Sequence, residues 1–189
     1  MVGTLAAARK ALRDARSSIG DMATAQNLEH YERYWKHFLD ALKKAENKVR
    51  AQLKDVTGFR GWIGQWEGRR KADPLLAYCL HARNSDGHWI KEITAAEGRM
   101  TIKAGKEGSS HIRRILITPT KRQVQYTGGA PELKFVHRLR LLPVEDGGQT
   151  YDPPPAAQGE HPTPPHELAE QAASMIEALI QDAERRFLP

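Results

Sequence analysis

A chain of 189 residues with 28 % charged and 40 % hydrophobic side chains has enough material for one domain, or for one domain carrying an insertion. No apolar run approaches the roughly 20 residues needed to cross a bilayer, so no membrane partner is expected, and a single cysteine, Cys79, excludes an internal disulfide and a cysteine-built zinc site. The net charge of +6 suits a polyanionic partner, and it is local: from Arg99 to Val144 ten Lys or Arg face only Glu107 and Glu132, giving +8 against −2 for the remainder.

The chain opens on two helical stripes. Leu5, Ala8, Leu12, Ala15, Ile19 and Met22 recur at three- and four-residue steps. Gly20-Asp21 reads as a break, and Ala6 to Ala15 is amphipathic rather than a signal peptide, so the expected location is cytoplasmic. Leu28, Tyr31, Trp35, Phe38, Leu42, Ala45 and Val49 form a longer stripe, with Thr24 as its cap and Gly58 beyond its end. The aromatic residues in it are core on ordinary burial preferences. Two such helices with a short connection predict an antiparallel pair. Phe59 to Arg70 is a shorter helix with Trp62, Ile63 and Trp66 on one side. A further helix starts at Asp73-Pro74, where a side-chain acceptor precedes a residue whose missing N–H costs nothing.

Beyond Ile90 the pattern becomes β-type. Runs at 99–103, 111–118, 123–126 and 133–142 are separated by turn-rich segments, which predicts a small basic antiparallel sheet. Residues 146–165 are rich in Gly and Pro and read as a linker or irregular loop. A last helix from about His166 to Phe187 has an apolar stripe wide enough to rejoin a bundle. The expected organisation is a helical bundle over 1–98, a basic β insertion over 99–148, a Pro/Gly-rich linker over 149–165 and a closing helix over 166–189. The fold class is mainly α.

The fourth helix ends in Arg83, Asn84 and, after three more positions, His88. Spacing alone proves little: with 17 Arg and 8 His, an Arg followed five positions on by a His is expected roughly 0.7 times by chance. The Asn that follows the Arg, the apolar helix that the pair terminates and the helical surroundings add weight. Together these residues resemble the HEPN superfamily, helical bundles that include many prokaryotic ribonucleases with an Arg, a polar residue that is often Asn, and a His near the end of one bundle helix. The resemblance covers residues from about 24 to 90 and the closing helix from 166 to 187. It implies metal-independent RNA cleavage with no cofactor, by attack of a ribose 2′-OH at a site shared between two protomers. Arg83, Asn84 and His88 would be its catalytic set, and a neutralising protein partner is a further expectation.

The chemistry is sound for these residue types. A histidine of ordinary pKa near 6.5 can take or give a proton at neutral pH. A guanidinium offers a permanently charged planar fork to a phosphorane-like transition state. Gly87, just before His88, and the β insertion depart from the family's minimal bundle. Arg113, Arg114, Lys121, Arg122, Arg138 and Arg140 are the candidate nucleic-acid contacts. No HxxxH or HExxH pattern accompanies the eight histidines, so metal binding is not expected. Cys79 lies on the apolar side of its helix and reads as core. Two non-enzymatic readings stay open beside cleavage: a binding module of the same fold, and a helical assembly protein in which Arg83 and His88 only cap a helix.

Overall fold

The computed structural model describes residues 4–25, 27–86, 94–103, 111–117, 122–127, 132–158 and 162–188, with residue 86 and residues 94–138 described by their backbone alone. The protein is mainly helical, with small two-stranded sheets and a C-terminal helix. Among the described residues five α-helices are formed: α1 (Ala6–Ala23), α2 (Leu28–Leu53), α3 (Phe59–Ala72), α4 (Pro74–Asp86) and α5 (Pro165–Phe187). Six strands follow α4, namely β1 (Thr94–Lys103), β2 (His111–Ile117), β3 (Arg122–Thr127), β4 (Glu132–Leu141), β5 (Val144–Asp146) and β6 (Gln149–Tyr151). Two compact units result, Met1–Ala95 with Leu139–Pro189, and Ala96–Arg138.

In the helical unit α1 and α2 pack along their length, and α5 lies against both. The stripe predicted for α1 is buried: Leu5, Ala8, Leu12, Ala15, Ile19 and Met22 all face the core, and Ala11 joins them. Three of these positions in α1 are alanine (Ala8, Ala11 and Ala15), and four more alanines of α5 (Ala169, Ala172, Ala173 and Ala183) are buried too, which keeps helix propensity high on the packed faces. Trp35 and Phe38 of α2, fully buried with ring centroids 5.5 Å apart, fill the space between. Ion pairs then fix how α5 lies on α1. Glu184, buried near the end of α5, accepts from the Leu5 backbone N–H at 2.8 Å and from the Arg9 guanidinium, and Arg16 reaches Glu170 and Glu177.

The sequence expectations for the helix ends are corrected in two places. Gly20-Asp21 does not break α1, which runs to Ala23; burial of Met22 outweighs the cost of about 1 kcal/mol for one helical glycine. Thr24 does not cap α2. Its hydroxyl donates back to the carbonyls of Gly20 and Asp21, while Asn27 Oδ1 accepts from the His30 N–H at 2.8 Å and caps α2. Gly58 does lie between helices, at φ +81°, a conformation that suits a residue without a Cβ.

Strands β1 to β4 match the four runs read from sequence, but they pair as two separate two-stranded sheets instead of one, and the last run extends past the β unit, which ends at Arg138. β2 and β3 form an antiparallel hairpin whose register pairs His111 with Thr127 and Ile117 with Arg122, with a shift between Ile112 and Arg114 that marks a bulge at Arg113. β1 and β4 pair with each other. Residues 139–148, expected within the β insertion, belong with the helices: Leu141 and Val144 are buried in the helical core. The Pro/Gly-rich stretch expected as a linker is built into the same unit. β5 and β6 form a tight hairpin across Gly147 (φ +58°) and Gly148 (φ +78°), the paired positive φ values that a two-residue type I′ turn demands. A short 3₁₀ turn at Pro155–Ala157 follows, and Pro153, Pro154 and Ala157 are buried.

Candidate functional site at the end of helix four

Helix α4 starts as its sequence predicts. Asp73 Oδ1 accepts from the backbone N–H groups of Leu75 and Leu76 at 3.0 and 2.9 Å, satisfying two donors that have no partner inside the helix. Leu75, Leu76, Tyr78, Cys79 and Ala82 then pack into the core. Burial, with the Asp73 charge adding to it, pushes the Cys79 thiol up to about 12, which makes it a core side chain and no nucleophile at neutral pH. The hydroxyl of Tyr78 donates to the Leu142 carbonyl at 2.7 Å and so ties α4 to the chain returning toward β5.

Consecutive residues on an α-helix point about 100° apart, and this geometry separates Arg83 from Asn84. Arg83 Nε donates to Asp40 Oδ1 of α2 at 3.1 Å, on an exposed face. Asn84 Nδ2 donates to Asp146 Oδ2 of β5 at 2.9 Å. The two residues are neighbours in sequence but serve different carboxylates. A cleft of about 30 Å³ beside Arg83, lined also by Lys43, Glu46, Arg70, Cys79 and Ile176, has room for little more than a water-sized molecule and none for a nucleotide.

The residue that shares a face with Asn84 is the one three positions earlier, His81. Its Nδ1 lies 2.8 Å from the same Asp146 Oδ2. A carboxylate oxygen only accepts, so Nδ1 carries the proton in this pair. The imidazole also stacks on Tyr151 of β6, with centroids 3.4 Å apart and planes 9° from parallel. Tyr151 in turn donates from its hydroxyl to Gln149 Oε1 at 3.0 Å. The ring of His81 is therefore fixed in plane by the stack and in rotation by the carboxylate. It keeps part of its surface open, with its side chain 21 % exposed.

His88 and Lys121 lie outside the described residues. Arg113, Arg114, Arg122 and Arg138 are placed by backbone only, in β2, β2, β3 and β4, and Arg140, near the end of β4, is half-buried. The division into units sharpens the charge argument. Ala96–Arg138 contains nine Lys or Arg (99, 103, 106, 113, 114, 121, 122, 134 and 138) against Glu97, Glu107 and Glu132, so this unit carries +6, the whole net charge of the chain. The helical unit is neutral. Among the described residues no group of three His, Cys, Asp or Glu is placed to hold a metal ion, and no helix is long and apolar enough to cross a membrane.

Comparison of the chain with protein-family models, curated sequences and solved structures returned no match. The site is therefore read from its own geometry. Sequence reasoning missed His81, Asp146 and Tyr151 as a group. Two signals were present: the helical spacing of His81 and Asn84, and the Asp-Gly-Gly turn that makes a hairpin of residues 144–151.

Proposed function

We propose that this protein is a metal-independent ribonuclease of the HEPN type, acting in the cytoplasm as a homodimer, which grips RNA with its basic β unit and cleaves it at the end of α4. The observation that carries the proposal is the confinement of the entire net charge to Ala96–Arg138. A polyanion is held by neutralised phosphates, and a small unit with a threefold excess of basic over acidic residues, in a chain whose helical unit is neutral, is suited to that task. In this reading Asn84 helps to order the polar end of α4 through Asp146, Arg83 supplies charge to the phosphate and His88 moves a proton. A protein partner that neutralises the basic unit would control it.

The test is twofold. Anisotropy of a labelled RNA oligonucleotide between about 50 and 200 mM salt, where phosphate contacts change affinity strongly, reports binding. Cleavage in EDTA, comparing wild type with His88→Ala, reports activity. Binding that falls steeply with salt and cleavage lost in the variant support the proposal. Salt-independent binding, or equal cleavage by both proteins, refutes it.

A second reading, a binding module of the same fold that does not cleave, is favoured by the Arg83–Asp40 pair, which commits the guanidinium to a carboxylate. Asp40→Asn separates the two. If Arg83 serves a phosphate, releasing it raises cleavage; if the protein only binds, Asp40→Asn leaves RNA uncut.

A further inference from the structure

We propose that His81, oriented by Asp146, is a proton-transfer group of this protein, with the ribose 2′-hydroxyl of bound RNA as the group it deprotonates. The inference rests on the RNA-binding part of the reading above and differs from it in one point: it sets the scissile phosphate on the Asp146 face of α4, about 160° round the helix from Arg83, so Arg83 takes no part in this step. Its basis is the geometry of four side chains from three elements. Asp146 Oδ2 receives His81 Nδ1 at 2.8 Å and Asn84 Nδ2 at 2.9 Å. Tyr151 lies flat against the imidazole at 3.4 Å. The carboxylate fixes the proton on Nδ1, so the lone pair of the neutral ring is on Nε2, which has no partner among the described residues.

A histidine that only clamps a hairpin onto a helix needs one hydrogen bond. Here the ring is held in plane, in rotation and in tautomer, while 21 % of the side chain stays open. That is the arrangement by which a carboxylate prepares an imidazole for proton transfer: it orients the ring and stabilises the imidazolium that forms. Asn84 on the same oxygen holds the carboxylate in place. Asp146 and Asn84 are thus positioning residues. Among the described residues, the groups placed against the ring are Asp146 of β5, Tyr151 of β6 and Asn84 of its own helix.

The step balances without metal or oxidant. Nε2 of neutral His81 takes the proton from the 2′-OH, and the 2′-oxygen forms a bond to phosphorus. The bond from phosphorus to the 5′-oxygen breaks, and that oxygen leaves with a proton drawn from solvent or a second acid. The products are a 2′,3′-cyclic phosphate and a 5′-hydroxyl. Imidazolium then returns its proton to solvent.

The test uses the full chain with a labelled RNA oligonucleotide in EDTA, following binding by anisotropy and single-turnover cleavage between about pH 5 and 8, the range in which an ordinary histidine changes charge. His81→Asn is the informative variant, because its amide can still donate to Asp146 while nothing replaces Nε2. Circular dichroism checks its fold, and Asp146→Asn is the second variant should the first be unfolded. The expected result is RNA affinity within about twofold of wild type and cleavage slower by ~10²–10⁴-fold in His81→Asn. The acid limb of the wild-type rate profile should disappear in that variant, and Asp146→Asn should lose ~10–100-fold. Wild-type rate and profile in either folded variant overturn the inference. So does RNA that is bound by wild type and never cut, an outcome that leaves the binding unit standing. Failure of wild type to bind RNA at all overturns the RNA reading, and this inference with it.

Discussion

Replacing Glu46 by Gln tests how the helical unit holds a charge in its interior. Glu46 is 3 % exposed on α2 and sits among three cations. Lys43 Nζ donates to Oε2 at 3.1 Å, Arg50 Nη2 to Oε1 at 2.7 Å, and Arg70 Nη1 to both oxygens at 2.7 Å. Burial opposes ionisation, but the hydrogen bond from Arg50 and the fields of Lys43 and Arg70 outweigh it and hold the carboxyl below its ordinary range. Gln keeps the shape and removes the charge. Its amide group then faces a donor with another donor, and the cations lose their common partner. Breaking a buried pair in this way costs about 3–5 kcal/mol. Lys43 and Arg50 side chains are each 27 % exposed and can turn toward water, whereas Arg70 at 11 % cannot, so the lower end, about 3 kcal/mol, applies. For a chain of this size that corresponds to a melting temperature lower by about 6–12 °C. Thermal melts followed by circular dichroism at the helix band read this directly. The double variant Glu46→Leu with Arg70→Met should recover most of the loss, since an apolar pair needs no compensation. A loss below about 1 kcal/mol for Glu46→Gln would refute the account of Glu46 as the hub of a buried ion cluster.

Asp73→Ala removes the side-chain acceptor at the start of α4 and should lower stability by about 1 kcal/mol, read as a lower urea midpoint at unchanged slope. Asp182 accepts from Trp62 Nε1 at 2.9 Å; although burial would raise its carboxyl, the hydrogen bonds from Arg185, Trp62 and Arg186 bring it from 3.8 to about 2. Because this folded-state value is depressed, its stabilisation is full above the unfolded value and is lost as pH falls toward 2, and Asp182→Asn should flatten the stability profile in that window. Glu184, lowered chiefly by its hydrogen bond from Arg9, acts with the same sign. Arg113→Ala with Arg114→Ala should weaken RNA binding and reduce the logarithmic salt slope by up to about 1.4 for a single strand, without changing the melt of the helices; an unchanged slope would remove these residues from the interface.

Local rules made most of the helices legible. The spacing of Trp35, Phe38 and Val49 names a buried face, and Asp73-Pro74 names a helix start, because both depend only on neighbours in the chain. The four strands of the β unit were legible for the same reason. The end of α1 was misjudged because a tertiary fact, the burial of Met22, overrode a local weakness at Gly20. Residues 146–158 were misjudged because composition was weighed above turn chemistry: Gly147-Gly148 closes a hairpin, and prolines that stiffen a linker also pack well when buried. The polar cluster was the least legible part. Asp146 is 62 residues from Asn84 and 65 from His81, and nothing in local pattern announces that one carboxylate will serve both. The same holds for Arg70, which reaches Glu46 across 24 residues.

The helical unit is assembled from two separated stretches, with the β unit between them and α5 as the last element. This orders events as the chain leaves the ribosome. α1 and α2 precede the β unit, with Ala8, Ala15 and Val49 buried in the finished fold, but the 23-residue helix α5 that packs on both follows it. The basic unit is synthesised in full before that seal exists. A nascent chain stalled ahead of Pro165 therefore presents an adhesive cationic unit and an uncovered oily face at once, the combination that invites aggregation on the polysome.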